Sequence, residues 1–252
     1  MGKLKFGKAI ATGNTATIYV NDKTIMKVYK DYLPPAEAEM EARKQRFAHA
    51  CGLPVPKVLD VTMVENKQVL IMEYIKGNTL GELLFKNEKK AEYYMSLSID
   101  IQQQIHQHDG IALEPISYKW GRQIVDSQIL DEESKSLLLN KLKTMPQETR
   151  LCHGDLHLFN LVKAEGSVWI IDWVDAGAGD SRADVCRTYL LYAENHQDLA
   201  DLYLHIYCSK TGLTKEDILQ WIPIVAAARL SENVSEENLD KLLKIIQYYL
   251  YR

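Results

Sequence analysis

Within LCHGDLHLFNLV (151–162) stand His153, Asp155, His157 and Asn160, and Asp172 ends the apolar run VWII a little further on. His153, Asp155 and His157 alternate. On a regular strand, a period of two would put all three on one face, as a zinc site requires. No cysteine or histidine nearby supplies an obvious fourth ligand, and zinc leaves Asn160 and Asp172 unexplained. A loop gives the same residues different work. Phosphoryl transfer from a nucleotide needs a proton acceptor for the attacking hydroxyl, hard oxygen ligands for metal ions, and cations for the phosphates. Asp155 can accept the proton. Asn160 offers an amide oxygen and Asp172 a carboxylate to a metal. Lys27, in TIMKVYK, could reach the phosphates, with a helix carboxylate to hold it in place.

The elements that must position these groups are of two kinds. Residues 1–75 read as a mainly antiparallel sheet carrying one helix. KAIATGNTATIYVND and KTIMKVYK are strands with turns at Gly13-Asn14 and Asn21-Asp22, and LPVPKVLDVTMVENKQVLIMEYI returns to strands around a turn at Glu65-Asn66-Lys67. Between them, PPAEAEMEARKQRFAHACG predicts a helix with prolines in its first turn and Gly52 as its stop. After Gly77 the chain turns helical. Tyr94, Leu97, Ile101 and Ile105 form a helical stripe, and GRQIVDSQIL and DEESKSLLLNKLKTM follow, the second closed by Pro146. SVWIIDW is a compact strand, and helices resume at Arg182. TKEDILQWIPIVAAARL, interrupted at Pro223, and SEENLDKLLKIIQYYL are the clearest of these. The expected division is therefore 1–76 and 77–252, an α+β chain with a small β-rich lobe and a larger, mainly helical one.

The bulk numbers exclude several classes of function. A formal charge of −4 over 252 residues argues against a nucleic-acid partner, which needs a concentrated basic face. Cysteines 51, 152, 186 and 208 form no CxxC and no close pair, so free thiols are expected. No secretory signal is visible, and no apolar run approaches the roughly 18 residues that cross a bilayer. The expectation is a cytoplasmic protein with no membrane contact. Nothing in the sequence fixes an oligomeric state.

Four stretches together resemble a known family. HGDLHLFN (153–160) resembles the HGDxxxxN catalytic loop of the aminoglycoside phosphotransferase and choline kinase superfamily, relatives of the protein kinases. IDW (171–173) resembles the strand-end motif whose aspartate binds magnesium, IMKVY the lysine-bearing strand, and MEYI (72–75) the hinge that cups adenine. The resemblance runs from about residue 8 to residue 190 and implies a bilobal protein-kinase-like fold using ATP and Mg²⁺. It implies that Asp155 accepts or orients the proton of the substrate hydroxyl, that Asn160 and Asp172 coordinate Mg²⁺, and that Lys27 contacts the α- and β-phosphates. Glu37, Glu39 and Glu41 compete to pair with Lys27, and position relative to GLPVP favours Glu41. Glu73 and Ile75 would give adenine a backbone carbonyl and amide. ATGNTAT has one glycine where protein kinases use GxGxxG, so the amides of Gly13, Asn14 and Thr15 would cover the phosphates instead.

His153 resembles a residue that supports the loop, while the role of His157 stays open. Asp184 has two structural readings: a brace for the catalytic loop, as in the family, or the far end of a Ser181-x-x-Asp184 capping box. The acceptor implied is a small molecule with a hydroxyl. Acids at Asp175, Asp180, Glu194, Asp198, Glu232, Glu236 and Glu237 could hold a cationic one, such as an aminoglycoside or an amino-alcohol. QYYLYR does not resemble the acidic ending of the antibiotic kinases, so a metabolic hydroxyl compound is equally open. Two alternatives stand beside this reading, an atypical protein kinase and a non-catalytic nucleotide-binding protein of kinase-like form.

Overall fold

The computed structural model of the chain describes residues 6–232 and 239–250. Three strands open it: β1 (Lys8–Thr12), β2 (Ala16–Asn21) and β3 (Thr24–Tyr29). A helix, α1 (Glu37–Ala50), precedes β4 (Val58–Val64) and β5 (Lys67–Glu73). The five strands make one antiparallel sheet in the order β1-β2-β3-β5-β4, with β3 in the middle. Period-two alternation on β3 sorts its side chains. Met26 and Val28 pack with Val69 on one face. Tyr29 points to the other, where Leu70 and Met72 meet Ala38 and Ala42 of α1. Lys27 shares the parity of Tyr29, so it too faces the helix.

Local chemistry explains the joints. Pro34 and Pro35 fall in the turn ahead of α1 rather than in its first turn. Gly52, at φ 81, ends the helix as expected, its amide donating to the His49 carbonyl. The β2–β3 turn is Asp22-Lys23, one residue later than the sequence suggested, with Asp22 at φ 53. The β4–β5 turn places both central residues, Glu65 and Asn66, at positive φ (52 and 63). That is the type I′ geometry, whose twist matches the flanking strands.

Then come β6 (Asn78–Thr79), α2 (Leu80–Lys86), α3 (Ala91–His106), α4 (Ile116–Asp126) and α5 (Glu132–Thr144). The buried stripe of α3 is wider than four apolar residues implied, for it includes Gln102 and His106 while Leu97 is only half-buried. α4 starts at Ile116, before the expected GRQIVDSQIL, because Pro115 in extended conformation sets its N terminus. Asp131 caps α5 by accepting the Ser134 amide at 2.7 Å, and the helix ends ahead of Pro146.

Four short strands follow: β7 (Arg150–Cys152), β8 (Leu161–Ala164), β9 (Ser167–Ile170) and β10 (Gly177–Gly179). β8 and β9 form a hairpin edged by β6, and β7 pairs with β10. The closing helices are α6 (Ser181–Asn195), α7 (Gln197–Thr211), α8 (Lys215–Leu219), α9 (Ile222–Leu230) and α10 (Leu239–Leu250). A Thr214–Asp217 capping box starts α8, and the break expected from Pro223 separates it from α9, where the proline lies in the first turn. The start of SEENLDKLLKIIQYYL, with Glu236 and Glu237, lies outside the described residues. Among the described residues, no helix is long and apolar enough to cross a membrane.

The chain divides into two compact units. One is the chain up to Glu82 together with Phe159–Asp175, and the other is Leu83–Leu158 together with the chain from Ala176 onward. The β8–β9 hairpin, with Asn160 and Asp172 at its ends, thus packs with the β-rich sheet although it sits amid helical sequence.

Candidate active site

In the first unit, Lys27 is 7% exposed and Glu41 1%. Lys27 Nζ donates to Glu41 Oε1 at 2.8 Å and to Asp172 Oδ1 at 3.0 Å, and Tyr29 donates its hydroxyl to Glu41 Oε2 at 2.5 Å. Burial alone would lower the Lys27 pKa; the charges of Glu41 and Asp172 and their hydrogen bonds outweigh it and hold the ammonium above the usual lysine range. The helical period chooses the glutamate. Ala38, Glu41, Ala42, Gln45 and Ala48 form the buried stripe of α1, whereas Glu39 lies off it, exposed and paired with Arg46 at 3.1 Å.

Asp172 follows β9 at φ 65, a left-handed conformation that aspartate tolerates better than most residues. Its neighbours hold it there. The Ile170 amide donates to the Pro54 carbonyl at 2.8 Å and the Ile171 amide to the Asn160 carbonyl at 3.0 Å. Trp173 is fully buried and donates its indole N–H to the Ile170 carbonyl. The Ile171–Asn160 bond ties the two expected metal ligands to one backbone. The Asp172 side chain keeps 37% exposure, so the carboxylate that pairs with Lys27 retains an open side.

The loops expected around a nucleotide belong to the same unit. The Gly13 amide already donates to the Ala16 carbonyl at 2.9 Å, and Thr15 uses its carbonyl to accept from Lys30. Of the three amides expected to meet phosphate, that of Gly13 is therefore engaged inside the turn. Glu73 ends β5; its amide donates to the Lys57 carbonyl, and its carboxylate accepts the Lys57 amide, each at 3.0 Å. Ile75 follows in the irregular link to β6.

In the second unit, the segment after β7 is a loop, so the period-two argument for zinc does not apply to His153, Asp155 and His157. His157 Nε2 lies 3.6 Å from Asp155 Oδ2, both side chains partly exposed, whereas His153 is fully buried and accepts the Asp155 amide on Nδ1 at 3.3 Å. Asp184 braces this loop. Its Oδ1 accepts the Gly154 amide at 2.7 Å, and its Oδ2 faces His106 Nε2 at 2.8 Å and accepts from Gln102 Nε2 at 3.2 Å. Burial would raise the Asp184 pKa, but His106, the Gly154 amide and Gln102 bring it down to about 2. The capping-box reading of Asp184 fails, since Asp180 caps α6 by accepting the Arg182 amide at 2.8 Å. Tyr192 supports the loop further along, its hydroxyl accepting the Leu158 amide at 3.1 Å.

Among the described residues, the one group of three His, Cys, Asp or Glu ligand atoms close enough for a metal is His106, Cys152 and Asp184. All three are buried, and the oxygens of Asp184 are engaged in the brace. The sequence reading overlooked Gln102, His106, Arg187 and Tyr192. The available signal was two polar residues four apart on the apolar stripe of α3.

Comparison with known proteins gives this geometry a context. No curated protein matches the sequence. A family model described as the phosphotransferase enzyme family (APH) matches residues 7–221. A thermostable mutant of aminoglycoside phosphotransferase APH(4)-Ia, solved with ADP and hygromycin B, aligns over 97% of this chain and 90% of its own at 14% identity and a TM-score of 0.69. An aminoglycoside-3′-phosphotransferase of type VIII aligns over 92% and 94% at 18% identity and a TM-score of 0.63. A choline/ethanolamine kinase family protein from Mesorhizobium loti aligns over 98% and 88% at 13% identity, again with a TM-score of 0.63. These likenesses fix the fold as that of the protein-kinase-like phosphotransferases. A family match of that length covers both the Lys27–Glu41–Asp172 cluster and the braced Asp155 loop, and the chain therefore belongs to the phosphotransferase enzyme family.

Proposed function

We propose that the protein transfers the γ-phosphate of ATP, with Mg²⁺, to a hydroxyl of a small molecule. The observation that carries this reading is the buried Lys27 ammonium, held charged between a helix glutamate and a half-open aspartate. Burying the charged pair Lys27 and Glu41 costs desolvation that apolar packing would avoid, so a purely structural role accounts for it poorly. In this reading Lys27 meets the α- and β-phosphates, and Glu41 and Tyr29 fix its position. Asn160 and Asp172 supply hard oxygens, the donor type magnesium takes, and the open side of Asp172 suits a metal. A magnesium ion held by Asn160 and Asp172 would supply positive charge to the phosphate oxygens. The amides of Asn14 and Thr15 approach the phosphates, and Glu73 and Ile75 give adenine its backbone contacts. Residues 1–76 bind the nucleotide, and residues 77–252 supply the metal ligands, the base and the acceptor surface.

Asp155 accepts the proton of the acceptor hydroxyl. It is presented by a loop whose preceding residue, Gly154, is fixed by Asp184. The solved relatives carry ADP or AMP-PNP with hygromycin B, and an exposed acid such as Asp198 suits a cationic acceptor, an aminoglycoside or an amino-alcohol. Four free cysteines accord with a cytoplasmic enzyme. Only eight residues stand between Asp172 and the first residue of α6, little room for the peptide-binding segment a protein kinase would need. A non-catalytic binder has no chemical need for Asp155.

An ATP-consumption screen across aminoglycosides, choline, ethanolamine, thiamine, sugars and homoserine tests the reading. Turnover with one of them should fall about 10²–10⁴-fold in Asp155→Ala while ATP binding persists. Unchanged turnover would remove Asp155 from its role. Undetectable MgATP binding by calorimetry would end the kinase reading altogether.

A further inference from the structure

The second unit holds a chain of alternating charges, Arg187 buried and the others partly buried, that the transfer chemistry leaves unexplained. Arg187, on α6 and 2% exposed, donates from Nε to the carbonyl of Gly154. Its guanidinium then grips Glu232 with two hydrogen bonds, Nη1 to Oε1 at 2.9 Å and Nη2 to Oε2 at 3.1 Å. Glu232 also accepts from Arg229 Nη1 at 3.0 Å, and Arg229 Nη2 lies 3.7 Å from Glu194. Glu232 stands just past α9, its amide donating to the Arg229 carbonyl at 3.0 Å.

Gly154 is held on both backbone polar atoms from a single helix. Asp184 takes its N–H and Arg187 its carbonyl, and residues three apart share a helix face. That carbonyl belongs to the planar peptide joining Gly154 to Asp155, so tilting it re-aims Asp155. Gly154 sits at φ 80 and has no Cβ to resist rotation, so the restraint has to come from outside. A planar guanidinium fork suits the task, because it locks to a carboxylate in one orientation while its Nε reaches the carbonyl.

We propose that Arg187 and Glu232 are positioning residues for phosphoryl transfer, fixing the Gly154–Asp155 peptide plane and tying the aim of Asp155 to the end of α9. The inference rests on the reading of Asp155 as the base. The test uses the full chain with MgATP, water as the acceptor and ADP release as the signal, so that no acceptor need be known. Glu232→Ala removes the fork's partner, Glu232→Asp restores the charge, and Arg187→Lys keeps a charge but loses the fork. Glu232→Ala and Arg187→Lys should each lower kcat about tenfold or more while KM for ATP stays within about twofold. Glu232→Asp should recover much of the loss. Thermal unfolding of each variant is measured alongside.

An unchanged kcat in Glu232→Ala overturns the proposal, as does a loss that only tracks the fraction folded or raises KM for ATP in step. Asp155→Asn separates the two readings. If it leaves ADP release intact, the base assignment falls and this inference with it. If it abolishes release while Glu232→Ala does not slow it, the positioning role alone is wrong.

Discussion

Lys27 is the residue on which the proposed nucleotide contact and stability meet. With its pKa raised in the fold, the stabilisation it brings is fully present below the ordinary lysine value of 10.5 and is lost only as pH climbs past that into the folded range. Between pH 6 and 9 its contribution should be flat. Lys27→Met leaves Glu41 buried beside Asp172 without a cation, which should cost about 3–5 kcal/mol in urea unfolding and raise KM for ATP. Asp184 has the opposite sign. Its folded pKa of about 2 lies below the model-peptide value of 3.8, so its contribution is present above pH 4 and lost as pH falls from there toward 2. The shift corresponds to about 2 kcal/mol. Asp184→Asn should be clearly less stable than the parent at pH 7, and urea midpoints should converge as pH falls to about 2. A gap that stays constant with pH would show that Asp184 acts by shape rather than charge.

At the scale of elements, the β4–β5 turn carries a local conflict. Glu65 occupies the first position of a type I′ turn at φ 52, where asparagine or glycine is preferred. Changing Glu65-Asn66 to Asn-Gly should stabilise the protein by about 0.5–1 kcal/mol, or roughly 1–4 °C in Tm. Activity should be unaltered, because the turn lies outside the residues assigned to catalysis. A lower Tm would mean the glutamate makes a compensating contact. α1 illustrates how an element selects a residue: three glutamates lie within five positions, and helical phase alone turns Glu41 inward.

For the whole molecule, nucleotide and metal should act together. Ligand at about 100 times its Kd adds about 2.7 kcal/mol to the folded state, so MgATP should raise Tm by several degrees. The shift should shrink on EDTA addition and in Asp172→Ala, where the proposed metal carboxylate is gone. An equal shift with and without Mg²⁺ would remove Asp172 from the metal site. The Lys27–Glu41–Asp172 cluster stands in one compact unit, and the braced Asp155 loop in the other.

The sequence by itself determined the family and the order of the elements. Phosphoryl transfer needs particular residue types at particular spacings, so four short stretches pointed to the family although overall identity to the solved structures is only 13–18%, and hydrophobic period and turn residues mark strands and helices locally. Boundaries such as the start of α4 were less legible, since an extended Pro115 can be told from a loop proline only once the helix is seen. Tertiary structure alone decided that the β8–β9 hairpin packs with the amino-terminal sheet, that Asp184 braces rather than caps, and that Arg187 reaches Gly154. Those facts depend on contacts between residues 30 to 145 positions apart. Helical or strand period constrains which face a side chain takes, and it carries no information about the partner that a distant segment brings to that face.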